Sequence, residues 1–419
     1  MSAMTEATID VTSDATRDAA SDLATEAATT STAEPARTPT RQPTTGPASL
    51  SSVKSATGSA TDPQIAKAAD QPRATTQTPP TIKLMQARDV ERWDKFVMDC
   101  PEATFFHRAG WQAVIKGAFG HKTWFMYAEA EGQIQGVLCL AEIKSRLFGH
   151  SLGSLPFCVY GGVAATTDAA RLALDTAAMD LAAKLKVGHL EYRNLKPTHA
   201  DWAAKPLYVT FRKEILPDDE QNLNAIPRKQ RAMVRKGIKF GLQSTLDDNV
   251  DRLFAAYASS VHRLGTPVFP KKYFALLKST FGKDCEVLTI TNEGRIIGSV
   301  LSFYFRDEVL PYYGGGMPEA REVAGNDFMY WELMRRSCER GYKIFDFGRS
   351  KLGTGAFDFK KNWGFSPTPL HYEYKLYRSQ QVPDNNPLSP KYQMFIKMWK
   401  RMPLAMANVI GPHIVKNLG

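Results

Sequence analysis

The octapeptide EGQIQGVL at Glu131–Leu138 returns about 160 residues later as EGRIIGSV at Glu293–Val300. Each copy sits at the turn of a predicted β-hairpin. Thr123–Ala130 precedes the first turn and Ile134–Ile143 follows it; Val287–Thr291 and Ile296–Phe305 flank the second. Acid-Gly at the centre of two β-prone runs is turn chemistry for a tight hairpin. The correspondence continues downstream. A predicted helix Asp168–Leu185 leads through Gly188 into a strand His189–Arg193, and a predicted helix Asp327–Arg340 leads through Gly341 into a strand Tyr342–Phe347. Both strands carry an acid between large apolar residues, Glu191 and Asp346. One hairpin can recur by chance, but the same hairpin, helix and strand in the same order point to two copies of one α/β domain. The copies are expected over 82–216 and 253–378, each a mixed sheet (α+β in character) with helices packed on it.

The rest of the chain is of a different kind. Residues 1–80 are rich in Ala, Thr, Ser and Pro and hold no Phe, Trp or Tyr. Such a stretch cannot bury enough apolar area to offset chain entropy and is expected to be disordered. It carries nine acids and six bases, so with the chain at +10 the remainder stands at +13. A strongly basic folded part suits a polyanion: a phosphorylated lipid-linked saccharide, a nucleotide, tRNA or an anionic membrane. The five cysteines are scattered, with no CxxC or Cys/His spacing, and read as reduced core residues rather than a metal site. No secretory h-region and no run of eighteen apolar residues is present, so the expected compartment is the cytoplasm. Residues 217–252 form a basic segment between the copies. Residues 379–419 end the chain as an amphipathic segment, either a clasp on the second copy or a helix lying at a membrane surface.

Gln221–Leu246 contains no acid. Arg228, Arg231, Arg235 and Lys239 recur at helical spacing after Pro227, and like charges one turn apart cost roughly 0.2–0.5 kcal/mol per pair unless an anion answers them. Phosphate recognition by arginine is one reading and a solvated face the other. Only Phe240 accompanies the run, so sequence-specific reading of RNA by base stacking has weak support, and DNA is not an expected partner.

The second copy concentrates the chemistry. A strand through Tyr313 ends in Gly314, Gly315 and Gly316, and Asn326 is placed to cap the helix that follows; bare backbone before a helix N-terminus suits a phosphate. By alternation Asp346 emerges on one face of its strand at the C-terminal end, where open sheets bind ligands. Gly348–Lys351, with Arg349 and Lys351, is expected as a polar loop. Phe357–Phe365 then sets Lys360 and Lys361 among Phe359 and other rings. That arrangement serves either a lysine beside an acyl carbonyl or plain cation–π packing. Asp358 is a further acid beside them.

The segment DFGRSKLGTGAFDFKKNWGF, Asp346–Phe365, resembles the C-terminal signature of Fem-type aminoacyl (peptidyl) transferases, and IPRKQRAMVRKGIKFGL, Ile226–Leu242, resembles their basic inter-lobe segment. More narrowly the chain is similar to Fem-like proteins associated with exosortase/PEP-CTERM and exopolysaccharide loci. The resemblance implies two tandem GNAT-like acyltransferase lobes and an N-acyltransferase with no permanently bound cofactor. The co-substrate it implies is an acyl-CoA or an aminoacyl-tRNA, and the acceptor an amine on a phosphorylated or lipid-linked envelope precursor at the inner face of the membrane. It places Phe359 and Lys360 beside the transferred acyl group and Arg228, Arg231 and Arg235 on the acceptor's phosphates. On residue type alone, Asp346 or Asp358 is a candidate to take the amine proton, the other reading being a carboxylate that braces the loop. The chain departs from the family in lacking a heptad-patterned tRNA-binding insertion, and GGGMPEAREVAGND only approximates a GNAT pyrophosphate loop. A non-catalytic scaffold for an anionic glycan, lipid or membrane is the alternative.

Overall fold

The computed structural model describes residues 79–145, 148–383 and 390–418. The expected disordered tail lies, up to residue 78, outside the described residues, as does part of the linker after Arg378.

The first lobe runs β1 (Thr81–Leu84), α1 (Val90–Asp99), α2 (Trp111–Phe119), β2 (Thr123–Ala130), β3 (Gln133–Ser145), β4 (Gly149–Gly153), β5 (Val163–Ala165), α3 (Asp168–Leu185), β6 (His189–Asn194), β7 (Ala203–Lys205) and β8 (Tyr208–Glu214). Helices α4 (Asp219–Ala225) and α5 (Arg228–Lys239) follow. The second lobe runs β9 (Gln243–Asp247), α6 (Asp251–Leu264), α7 (Lys271–Phe281), β10 (Cys285–Asn292), β11 (Arg295–Phe305), β12 (Glu308–Gly316), α8 (Gly325–Glu339), β13 (Ile344–Lys351), α9 (Gly355–Asn362), β14 (Pro367–Pro369) and β15 (His371–Leu376). Two helices, α10 (Pro390–Arg401) and α11 (Leu404–Val415), close the chain.

The repeat is reproduced down to the residue. Glu131 and Gly132 (φ 52° and 76°) match Glu293 and Gly294 (φ 49° and 76°), two left-handed residues in succession as a tight hairpin turn requires. Both hairpins break register at the same place, between Ala128 and Glu129 and between Ile290 and Thr291, opposite Gly136 and Gly298. In each lobe a helix then crosses over the sheet to a parallel partner. β4 pairs β6 at three positions and β12 pairs β13 at two, after which the strands diverge. Each sheet is thus split at an equivalent point.

The lobes are not closed along the expected boundaries. The first sheet has the order β1-β2-β3-β4-β6-β15-β7, with β5 on β3, and the second β14-β8-β13-β12-β11-β10-β9. So Tyr208–Glu214, expected to end the first copy, lies in the second sheet, and His371–Leu376, expected to end the second, lies in the first. Each exchanged strand covers the open edge left by a strand of the parallel pair and satisfies its backbone groups.

A large aromatic core joins the lobes. Phe105 stacks on Phe303 at 4.3 Å and meets Phe281 at 4.7 Å. The segment Leu155–Tyr160 is buried throughout and threads between the sheets. Its Leu155 and Phe157 are left-handed (φ 60° and 68°), a conformation that costs on the order of 1 kcal/mol or more per non-glycine residue. The Phe157 carbonyl answers the Tyr312 hydroxyl at 2.8 Å, and the Val159 carbonyl answers Tyr372 at 2.8 Å.

The exchanged β15 is pinned by a buried polar cluster. Glu373 accepts from Asn194 Nδ2 (2.8 Å), Thr198 N (2.8 Å) and Thr198 Oγ1 (2.7 Å). His199 lies between Glu373 (2.8 Å) and Asp175 (3.2 Å) and stacks on Trp202. Burial alone would lower the His199 imidazole, but its bonds to Asp175 and Glu373 outweigh that and raise it to about 9. A raised pKa gives stability that is complete below the unfolded value near 6.5 and is lost as pH climbs through about 9. The loss should reach about 3 kcal/mol. Urea melts at pH 6.5 and 9.5 check this: the stability gap between wild type and His199→Gln should shrink at the higher pH, and a constant gap would show that His199 is not charged.

Candidate active site

The described residues enclose a cavity of about 340 Å³ between the lobes. Tyr160, Gly161, Asn194 and Thr198 come to it from the first lobe, Arg212 from the exchanged β8, and Phe305, Glu308 and Leu310 from the second. Its lining holds the cations Arg171, Lys196, Arg212 and Arg306 against the acids Glu102 and Glu308. Arg171 pairs with Glu102. Arg306 caps the end of α1 by donating to the carbonyls of Val97, Met98 and Cys100.

The chemistry of the floor follows from a bulge. β13 pairs β8 at Asp346↔Arg212 and resumes at Arg349↔Thr210, so Phe347 and Gly348 together face Phe211. Gly348 takes φ 66°, which suits a residue without a side chain. Asp346 is fully buried beside this break. It accepts from Gly348 N (2.7 Å), Tyr160 Oη (2.9 Å to Oδ2) and Thr210 Oγ1 (3.3 Å), with Arg212 Nε 3.7 Å away. Burial raises its carboxyl above the ordinary value, against the opposing pull of Arg212. Arg212 also pairs with Glu308, so one guanidinium bridges two carboxylates. Glu308 is raised as well, first by burial and then by Asp346 and Asp307, with Arg212 opposing. A half-buried carboxylate that faces a cavity and holds its proton unusually well is equipped to take a proton from a bound group.

His107 also lines the cavity but is committed to structure. Its Nδ1 accepts from Thr104 N (3.0 Å), so Nε2 donates to the Gly162 carbonyl (3.2 Å), and burial lowers it to about 4.

Lys360 is buried behind this floor, donating from Nζ to the carbonyls of Arg349 (3.0 Å) and Gly348 (3.3 Å). Those carbonyls belong to the bulge, so the two halves of the DFGRSK…FKKNWGF signature form one unit: a broken ladder and the ammonium that answers it. Arg349 is buried over the Tyr208 ring and donates to Tyr372 Oη (3.1 Å). Gly348–Lys351 is therefore interior strand rather than the expected polar loop, because pairing with β8 carries β13 on to Lys351.

The remaining expected residues are dispersed. Phe359 packs with Trp363 and Tyr330, while Asp358 and Lys361 are exposed on the outside of α9. Tyr313 is buried, its hydroxyl 2.8 Å from that of Tyr273. Gly314–Gly316 is no open cradle. A Cβ on Gly315 would come within 2.5 Å of the α6 backbone at Tyr257, and one on Gly316 within 2.8 Å of Asn326 Oδ1. The helix starts at Gly325 on a left-handed Ala324, so Asn326 lies in its first turn and does not cap it. Asp327 sits at this N-terminus, accepting from Trp363 Nε1 (2.9 Å), and burial raises it to about 6. Arg228 and Arg235 are exposed on α5, and Arg231 donates to Asn224. None of the expected site residues lines the cavity; Asp346 and Lys360 stand directly behind it. Tyr160, Arg212 and Glu308 were not anticipated. Among the described residues no group of His, Cys, Asp and Glu could hold a metal ion.

No match is found among curated protein sequences. The fold is similar to that of solved structures. FemX matches at a TM-score of 0.55 and 16% identity, over 75% of this chain and 100% of that one. L-PGS from Bacillus licheniformis matches at 0.46 and 14%, over 76% and 99%. A tandem GNAT protein from the clavulanic acid biosynthesis pathway matches at 0.46 and 11%, over 72% and 100%. At 16% identity the likeness to FemX is one of fold alone. Residues 221–361, from α4 through the bulge to Lys361, match the acetyltransferase (GNAT) domain family, so the chain carries a GNAT-type acetyltransferase domain whose sheet is completed by a strand of the preceding lobe.

Proposed function

We propose that this chain is an N-acyltransferase that moves an acyl or aminoacyl group from an activated donor to an amine on a phosphorylated or lipid-linked envelope or exopolysaccharide precursor. The observation that carries the reading is the Glu308–Arg212–Asp346 cluster at the floor of the inter-lobe cavity. Two carboxylates and one guanidinium leave one negative charge there, which attracts an ammonium group. Glu308 then accepts its proton, and the free amine attacks the acyl carbonyl. A C–N bond forms, the C–S bond of a thioester or C–O bond of an aminoacyl ester breaks, and the proton held by Glu308 passes to the leaving sulfur or oxygen; the nitrogen's second proton then returns to Glu308 and is released to water, leaving a neutral amide. Arg212 supplies donors for the carbonyl oxygen as charge develops on it. Asp346 holds Arg212 and the Tyr160 hydroxyl in place, and Lys360 holds the bulge beside Asp346. Among the described residues no cysteine or serine lines the cavity, which favours direct transfer.

Acyl-CoA is the donor that GNAT acyltransferases use; aminoacyl-tRNA is the donor suggested by the Fem resemblance. The exposed Arg228, Lys229, Arg235, Lys236 and Lys239 of α5 form no ion pair among the described residues and suit the acceptor's phosphates. Incubation with acyl-CoAs or aminoacyl-tRNAs and a panel of amine acceptors, with the acylated amine and the released thiol or tRNA quantified together, tests the reading. Stoichiometric product from one donor class is expected. Absence of transfer from both, with the chain folded and binding the acceptor, would leave the scaffold reading in its place.

A further inference from the structure

Residues Pro390–Gly419 contain five cations, Lys391, Lys397, Lys400, Arg401 and Lys416, and no acid. They form α10 and α11, and the pair is firmly seated on its inner side. Trp399, Ala407, Gly411 and Val415 are buried. Gly411 is pressed so close to Val268 that a Cβ would come within 2.9 Å of its backbone nitrogen. The Met402 carbonyl lies 2.8 Å from His262 Nε2, and the Lys416 carbonyl 2.8 Å from His121 Nε2.

The outer side inverts the usual pattern. On α11 the outward positions at helical spacing are Ala405, Met406, Val409, Ile410 and His413, all exposed and none an acid, lysine or arginine. Val409 is 69% exposed and Met406 52%. On α10 the outward positions are Met394 (71%) and Met398 (57%), flanked by Lys397, Lys400 and Arg401. A helix docked on a globular core normally turns charge to water. This pair turns a strip of Met, Val and Ile to it and borders the strip with cations.

Charge decides what can cover the strip. A second copy would bring its own acid-free cationic hairpin against this one and be repelled. The N-terminal 78 residues carry acids but no aromatic residue to fill an apolar contact. An anionic bilayer answers both features, with acyl chains for the strip and headgroup charge for its border. Each helix is twelve residues long, and no described helix is long and apolar enough to cross a membrane, so the pair would lie in the plane of the interface. We propose that α10 and α11 form a peripheral docking element for an anionic lipid surface, with Met394, Met398, Met406, Val409 and Ile410 entering the interface and Lys397, Lys400 and Arg401 at headgroup level. The proposal does not depend on the acyl-transfer reading.

Co-sedimentation of the full chain with phosphatidylcholine vesicles, with and without roughly one-third phosphatidylglycerol, tests it. Binding at least tenfold stronger to the anionic vesicles is expected, weakening as salt rises. Met406→Asp/Val409→Asp and Lys397→Glu/Arg401→Glu should each reduce it tenfold or more at an unchanged melting temperature. A Val409→Cys protein carrying an environment-sensitive fluorophore should shift to the blue on anionic vesicles only, which reports insertion without removing charge or apolar area elsewhere. Equal partition to both vesicle types, wild-type binding by both double variants, or no fluorophore shift would overturn the proposal. So would a concentration-dependent dimer, lost in the Met406→Asp/Val409→Asp protein, in the absence of vesicle binding.

Discussion

Glu308→Gln is expected to lower kcat/KM for amine acylation by about 10²- to 10³-fold while leaving the fold intact, in the range that loss of a general base produces. Glutamine keeps the shape and can still meet Arg212, but it cannot take the amine proton. Stability should change by about 1 kcal/mol or less, because Glu308 is partly open to the cavity and Arg212 keeps Asp346 as a counter-charge. The pH profile distinguishes a base from a mere binding group. Glu308 holds its proton above the ordinary glutamate value because burial penalises its charge, and a base works only once that proton is gone. Wild-type kcat/KM should therefore rise with pH through this raised value and level off above it, and the Gln variant should lack that limb. Arg212→Met gives the opposite sign. Without the guanidinium, Glu308 faces Asp346 uncompensated, its pKa climbs further, and the limb should move to higher pH. Unchanged turnover in Glu308→Gln would remove it from the reaction.

These two residues show what a linear reading can and cannot reach. The repeat was legible because Glu-Gly turns, hairpin lengths and the helix–Gly–strand order are local, and the structure returns them with matching turns and matching bulges. The paired acids were legible too. Glu191 and Asp346 occupy equivalent strands, and each lies beside an arginine, Arg193 in one lobe and Arg212 in the other, although only Asp346 is fully buried. The strand exchange was not legible. β8 and β15 carry ordinary strand patterns that say nothing about which sheet edge they complete. Arg212 therefore looked like the end of the first copy, when it is the only arginine that β8 brings to the second sheet. Glu308 was hidden for a related reason: it is the first residue of a strand, and its value comes from facing a cavity that the other lobe closes. The glycine triplet misled in the opposite direction. Bare backbone can admit a ligand or a neighbouring helix, and α6 takes the space.

Asp346→Ala should cost about 3–5 kcal/mol of stability, the range for breaking a buried charged network from one side. The carboxylate is fully buried, and truncation strips the acceptor from Gly348 N, Tyr160 Oη and Thr210 Oγ1 at once. Each buried donor left unpaired costs about 1–3 kcal/mol, and the three cannot simply add, because they share one site and the Tyr160 and Thr210 hydroxyls also meet each other. Lys360→Met attacks the same bulge from behind. Methionine replaces most of the buried stem but leaves the carbonyls of Gly348 and Arg349 without the ammonium that now reaches both. Guanidinium melts followed by tryptophan fluorescence should rank Asp346→Ala above Lys360→Met, and both well above Glu308→Gln. The double variant Asp346→Ala/Lys360→Met should fall short of the sum of its singles by more than 1 kcal/mol, since Lys360 acts on the Asp346 carboxylate electrostatically and both side chains hold the same bulge. Full additivity would mean that the two side chains hold the strand independently, and Lys360 would then need a role of its own at the carbonyl being attacked.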